Sequence, residues 1–135
     1  MSVTILQDIQ GAITSHLVSH PALIPLISGR VHSVLPDPVV FPCMRMQRLS
    51  GGLAAPANAD GIVGPARADL SVHCWAQSPQ QAERLAETAR AVFHDMPNHI
   101  AVLAVRESGA PRYVADDSRP EVVHRFVLSF SVHYR

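Results

Sequence analysis

The chain contains no lysine: all eleven of its basic residues are arginine, set against eleven acids for a formal charge of zero. Without lysine there is no phosphate-binding loop of the Gly-x-x-x-x-Gly-Lys kind, and Gly51-Gly52 is followed by Leu53 and Ala54. Nor is there the basic excess that marks a dedicated nucleic-acid binder. The all-arginine set has two readings: a GC-rich coding genome, or selection of guanidinium for bidentate pairing across interfaces. Cysteine is also scarce. Cys43 and Cys74 each sit inside an apolar strand-like run; they are too few for a disulfide framework in 135 residues and fit a reducing cytoplasm. No run approaches the roughly 20 apolar residues that span a bilayer. The opening MSVTILQDIQ lacks the basic start and apolar block of a secretion signal. The expectation is a soluble protein made in the cytoplasm, with no membrane partner.

What is present suffices for one core. With 47% hydrophobic residues, the 135-residue chain reads as one domain spanning 1–135. Leu6, Ile9, Ile13 and Leu17 recur at steps of three and four, which predicts an amphipathic helix over about 3–18. Pro21 opens one or two helical turns that close at Ser28-Gly29, with Pro25 too deep for a regular helix. Segments 30–35 and 41–49 read as strands, the second with Cys43 on one side and Met44 and Met46 on the other. Segment 67–76 alternates cleanly: Ala68, Leu70, Val72 and Cys74 face one way, Arg67, Asp69, Ser71, His73 and Trp75 the other. Ser78, Pro79 and Gln81 stand at N-cap, first and third positions of a helix that runs to about Asp95. A strand at 100–107, a loop at 108–120 and a long last strand at 122–134 complete the chain. The predicted class is α+β: two helices packed on one face of a mostly antiparallel four- to five-stranded sheet. A long loop or hairpin arm at about 50–66, with four Gly and two Pro, interrupts it.

Reactive groupings are missing from the linear sequence. There is no Gly-x-Ser-x-Gly elbow, and Asp116-Asp117 reads as a solvated pair. Among the eight histidines, His16 and His20 have the four-residue spacing of metal ligands, but they straddle a helix end. His73 and Cys74 are adjacent in a strand and point to opposite faces, as do His124 and His133. His94 and His99 flank a helix C-terminus, where an imidazolium is mildly favoured. No catalytic residue, metal site or cofactor is expected.

Surface of an unusual kind does stand out. The second face of the last strand carries Val123 and Val127, and the 50–66 segment offers Leu53, Ile62 and Val63 without a periodic core to receive them. Either that segment folds over its own domain, or it is an arm packing on a neighbouring subunit. On the second reading Leu53, Ile62 and Val63 make the contact, while Arg48 and Arg67 flank the arm and pair with acids of the next subunit.

The run ARADLSVHCWAQSPQQAERLAETARAVF (residues 66–93) resembles the tail completion (tail terminator) family of long-tailed phages. That family shows a strand ending Cys-Trp-Ala or with an aromatic, here Cys74, Trp75 and Ala76. A Ser- or Thr-led helix follows, matched by Ala82, Leu85, Ala86 and Arg90. HPAL…LISGRV (20–31), FPCMRMQRLSGG (41–52) and the closing HRFVLSFSVHYR are similar to further family segments, in the same order. His20 and His133 depart from the family's usual Asp and aromatic. The resemblance implies a non-enzymatic virion protein of the tail–neck junction that closes into a homohexameric ring. Such a ring caps the tail tube protein, offers a surface to the head connector or stopper, and lets DNA pass through its lumen without specific binding. A neutral chain suits that passage, because phosphate contacts add up. Two other readings stay open: another head–tail connector, head-completion or minor tail protein, and a small enzyme or ligand-binding domain with a histidine-lined pocket.

Overall fold

The helix starts behave as their capping residues demand. In a computed structural model, which describes residues 8–53, 66–116 and 122–134, helix α1 (Ile9–Ser19) is capped by Asp8, whose carboxylate accepts from the Gly11 N–H at 3.1 Å. Helix α3 (Pro79–Asp95) is capped by Ser78, whose hydroxyl accepts from the Gln81 N–H at 3.2 Å. The short α2 (Ile24–Ile27) begins at Ile24, so Pro25 falls in its first turn, where a missing N–H costs nothing. It ends on two left-handed residues, Ser28 and Gly29 (φ 50° and 77°).

The strands are β1 (Val31–His32), β2 (Cys43–Leu53), β3 (Ala66–Ala76), β4 (Val102–Glu107), β5 (Arg112–Asp116) and β6 (Val123–Tyr134). They form one sheet in the order β1-β2-β3-β6-β4, with β5 also on β6. Only β1 runs parallel to its neighbour. The class is therefore α+β, with one strand more than the upper expectation.

Three elements differ from the sequence reading. The ladder of the β2–β3 hairpin continues through Ser50, Gly51 and Gly52 to Leu53, which pairs with Ala66. The glycines weaken strand propensity, but a continuous partner strand supplies the ladder bonds and overrides it. The segment read as a loop at 108–120 contains β5: β4 is half the length of β6, and the backbone of Val123–Val127 is paired instead by β5. The 30–35 strand shrinks to Val31–His32, because only these residues meet β2.

One side of the sheet carries the main core. Ile9, Ile13 and Leu17 of α1, Leu85, Ala89 and Phe93 of α3, and Met44, Leu70, Val72 and Phe130 of the sheet belong to one buried cluster. Phe93 and Phe130 stack with centroids 4.2 Å apart; each fully buried side chain contributes about 1.5–3 kcal/mol of transfer free energy. The opposite side is partly covered too. Cys43, Trp75 and Val123 form a second small cluster with Leu35, Val39 and Phe41 of the β1–β2 connection. Trp75, Val123 and Val127 are thus 2%, 1% and 9% exposed. The two valines do not make the spare apolar surface expected of them: the connection covers Val123, and Val127 lies between His73 and Arg112 of adjacent strands.

Candidate functional site

The residues singled out for assembly lie at and beyond the end of the β2–β3 hairpin. Leu53 closes the ladder opposite Ala66, whereas Ile62 and Val63 lie outside the described residues. Arg48 and Arg67 are both exposed near the hairpin end, but on opposite faces of the sheet. Arg48 stands opposite Leu70 on the helix side and its Nη2 donates to the Tyr134 hydroxyl at 3.4 Å. Arg67 stands opposite Gly52 and His133 on the helix-free side, with its Nε 3.4 Å from Asp69 Oδ1.

Directly opposed residues of an antiparallel ladder share a face, so the registers define what stands on the helix-free side. One row across β2, β3, β6 and β5 reads Arg45, His73, Val127, Arg112; another places Trp75, Arg125 and Val114 side by side. A third joins Asp69, Ser131 and Arg106, with Ser131 Oγ donating to Asp69 Oδ1 at 2.7 Å. Arg45, Arg67, Arg106, Arg112 and Arg125 thus share this face, against Asp69 and the register position of Asp116. The charge is felt locally. Burial first, then the guanidiniums of Arg125, Arg45 and Arg112, push the His73 imidazole down to about 4. His73 is therefore neutral at physiological pH, with Nε2 3.1 Å from Ser71 Oγ. His73 Nδ1, Trp75 Nε1, Arg125 Nε and His133 Nδ1 are buried without a hydrogen-bond partner among the described residues, and a buried polar group left so costs free energy.

The sheet edges differ in character from this face. The β2–β3 register shifts between Arg48 and Ser50, and the β4–β6 register between Val102 and Ala104. The residues at these two irregularities, Leu49 and Leu103, are 62% and 50% exposed. Bulges re-aim side chains at sheet edges, and here β4 and the part of β2 that β1 does not pair each present a leucine.

Histidines lie near the helix ends and on the helix-free face. His20 is the C-cap of α1 and its Nδ1 accepts from the Ala22 N–H at 3.1 Å. His16 lies 5.4 Å from the His20 ring and 5.7 Å from His99, a neighbour the linear spacing did not reveal. Burial, then His20 and His99, lower the His16 pKa. Among the described residues no group of three or more His, Cys, Asp or Glu side chains is placed to hold a metal ion. Cys74 is fully buried and its thiol is pushed up, first by desolvation and then by Cys43, which disfavours the nucleophilic thiolate. A concavity of about 330 Å³ lies between α2 and the start of α3 and is lined by Ser28, Arg30, Gln81 and Arg84 among others. No described helix is long and apolar enough to cross a membrane.

The chain matches the family model described as Tail completion protein gp17 over residues 11–135, and it belongs to that family of phage tail structural proteins. It is accordingly a virion component of a bacteriophage. No curated protein matches the chain.

Proposed function

We propose that this chain is a ring-forming tail terminator: a non-enzymatic subunit of a homohexamer at the tail–neck junction that caps the tail tube and offers the surface on which the head connector docks. The observation that carries this reading is the family match over residues 11–135. Two features of the surface support it. A ring closes through heterologous contacts, in which two different patches of each subunit meet. Leu49 of β2, beyond the two residues that β1 pairs, and Leu103 of the edge strand β4 are exposed apolar side chains at unlike places of one sheet. The β2–β3 hairpin carries Arg48 and Arg67 near its end, where the proposed arm would be rooted. In this reading Leu53, Ile62 and Val63 pack on the neighbouring subunit, and the genome passes through the lumen without base-specific contacts.

Native mass spectrometry of the purified chain is the direct test, with six copies as the expected species. Adding the assembled species to polymerising tail tube protein should arrest tube growth at a defined end. A stable monomer at micromolar concentration, or a ring that leaves tube growth unaffected, overturns the proposal.

A further inference from the structure

Two imidazoles from the end of α1 and one from beyond α3 meet at one corner of the molecule. His16 stands in the last turn of α1 and His20 is its C-cap, while His99 follows a 3-10 turn (Met96–Asn98) at the end of α3. The His16 ring lies between the other two. It is edge-on to His20 with centroids 5.4 Å apart, and stacked on His99 at 5.7 Å. We propose that this cluster is an acid-sensitive latch: neutral, the three rings hold the α1–α2 corner against the end of α3, and protonated, they release α1 while the sheet stays folded. The latch does not depend on the ring reading, because all its groups belong to one chain.

Three features make the closed corner one of neutral rings. The first is the His20 tautomer. Its Nδ1 accepts from the Ala22 N–H at 3.1 Å, so the single ring proton of the neutral form is on Nε2. A second proton, on Nδ1, sets N–H against N–H and breaks the turn that carries the chain from α1 into α2. The Leu23 and Ile24 N–H groups bond the carbonyl of the same residue. The second is the supply of carboxylate. Asp95 is the acid that faces the cluster, and both its oxygens are taken: Oδ2 by His99 Nε2 at 2.6 Å, Oδ1 by the Asn98 amide at 2.8 Å. It can balance one imidazolium, on His99, and not charges on His16 and His20 as well. The third is His16 itself, whose Nε2 is buried without a partner among the described residues. An imidazolium carries N–H on both nitrogens, and the one on Nε2 has no acceptor there.

The corner is open to protons and weakly anchored. A crevice of about 310 Å³, between His20 and Ala22 on one side and Thr88, Ala91, Val92 and Asp95 on the other, brings water to the rings. Helix α1 adds Ile9, Ile13 and Leu17 to the core, where α3 adds six side chains, and it takes no part in the sheet ladder. Local opening begins at the element with least burial. Burial, then His20 and His99, lower the His16 pKa from its ordinary 6.5. Its contribution to the closed corner is therefore complete above 6.5 and is lost as pH falls from there through the folded value.

The test is hydrogen–deuterium exchange of the full chain, read by mass spectrometry at about pH 7.5 and 5, on either side of the ordinary histidine pKa, and corrected for the intrinsic rate. On acidification, residues 9–24 are expected to lose protection at least about fivefold more than β3 and β6 do. That difference should persist in His73→Gln, which removes the sheet's own acid response. It should vanish in His16→Gln/His20→Asn, because an asparagine oxygen still accepts from the Ala22 N–H but does not titrate. If the double variant does not fold at neutral pH, His99→Gln, which keeps a donor for Asp95, takes its place and should at least halve the difference. Equal losses in α1 and the sheet, protection of α1 that ignores pH, or a difference undiminished in the variants overturns the latch.

Discussion

At the residue scale, two titratable groups govern how the protein responds to acid, in different windows. Glu107 of β4 binds Arg90 of α3 through two oxygens, at 2.7 Å to Nε and 3.0 Å to Nη2, and His94 Nε2 at 2.8 Å. The Arg90 hydrogen bonds, ahead of His94, hold the Glu107 carboxyl below its ordinary 4.5. A carboxylate depressed on folding stabilises the protein above its ordinary pKa, and that stabilisation is lost as pH falls through the folded value. Glu107→Gln should therefore lower Tm at neutral pH by about 3 °C, the scale of an ion pair near the surface. The difference should vanish in acid, as thermal melts at stepped pH will reveal. His73 acts higher up. Its folded pKa of about 4 lies below the ordinary 6.5, so the unfolded chain takes up the proton first and stability declines as pH drops from 6.5 towards 4. His73→Gln should shrink the Tm loss across that window, leaving a smaller decline from His16, whose pKa is also lowered. Equal declines in wild type and variant would remove His73 from the account.

At the element scale, stability sits where caps and packing coincide. Replacing Ser78 by Ala removes the acceptor of the Gln81 N–H and should cost about 1 kcal/mol, measurable as a lower urea midpoint at unchanged m-value. Phe130→Ala is the severe case. It empties the site stacked on Phe93 at the centre of the main core, and losses of about 3–5 kcal/mol are usual there. Much of α3, β3 and β6 was legible in the sequence, because their signals are local: a cap three residues ahead of its donor, a 3.6-residue stripe, a two-residue alternation. The ends of β2 and the whole of β5 were not. Glycine in one and a flanking proline in the other read as loop, and only the unpaired stretch of a neighbouring strand makes them strand.

At the scale of the whole molecule, assembly is predicted to separate from folding. Replacing residues 54–65 by a tight turn, or changing Leu49 to Asp, should abolish the oligomer seen by native mass spectrometry; Leu49 is exposed and outside the main core, so its variant should keep Tm within a few degrees. Cooperative unfolding lost with the oligomer would instead mean that the monomer is not stable by itself. The family, and with it the phage tail setting, was legible in the run from Ala66 to Phe93 and the three shorter segments.

The sequence by itself determined which residues alternate, which helix begins at Ser78, and that one α+β core holds them, because these depend on neighbours a few positions apart. Only the tertiary structure decided which surfaces exist. Trp75, Val123 and Val127 read as one side of their strands and become buried through contacts made across the sheet and with the connection before β2. The lack of a basic excess argued against a dedicated nucleic-acid binder, yet β2, β3, β4, β5 and β6 each deliver one arginine to the same face. No local pattern carries that convergence. It arises from strand register, which flips a side chain to the other face with every one-residue shift.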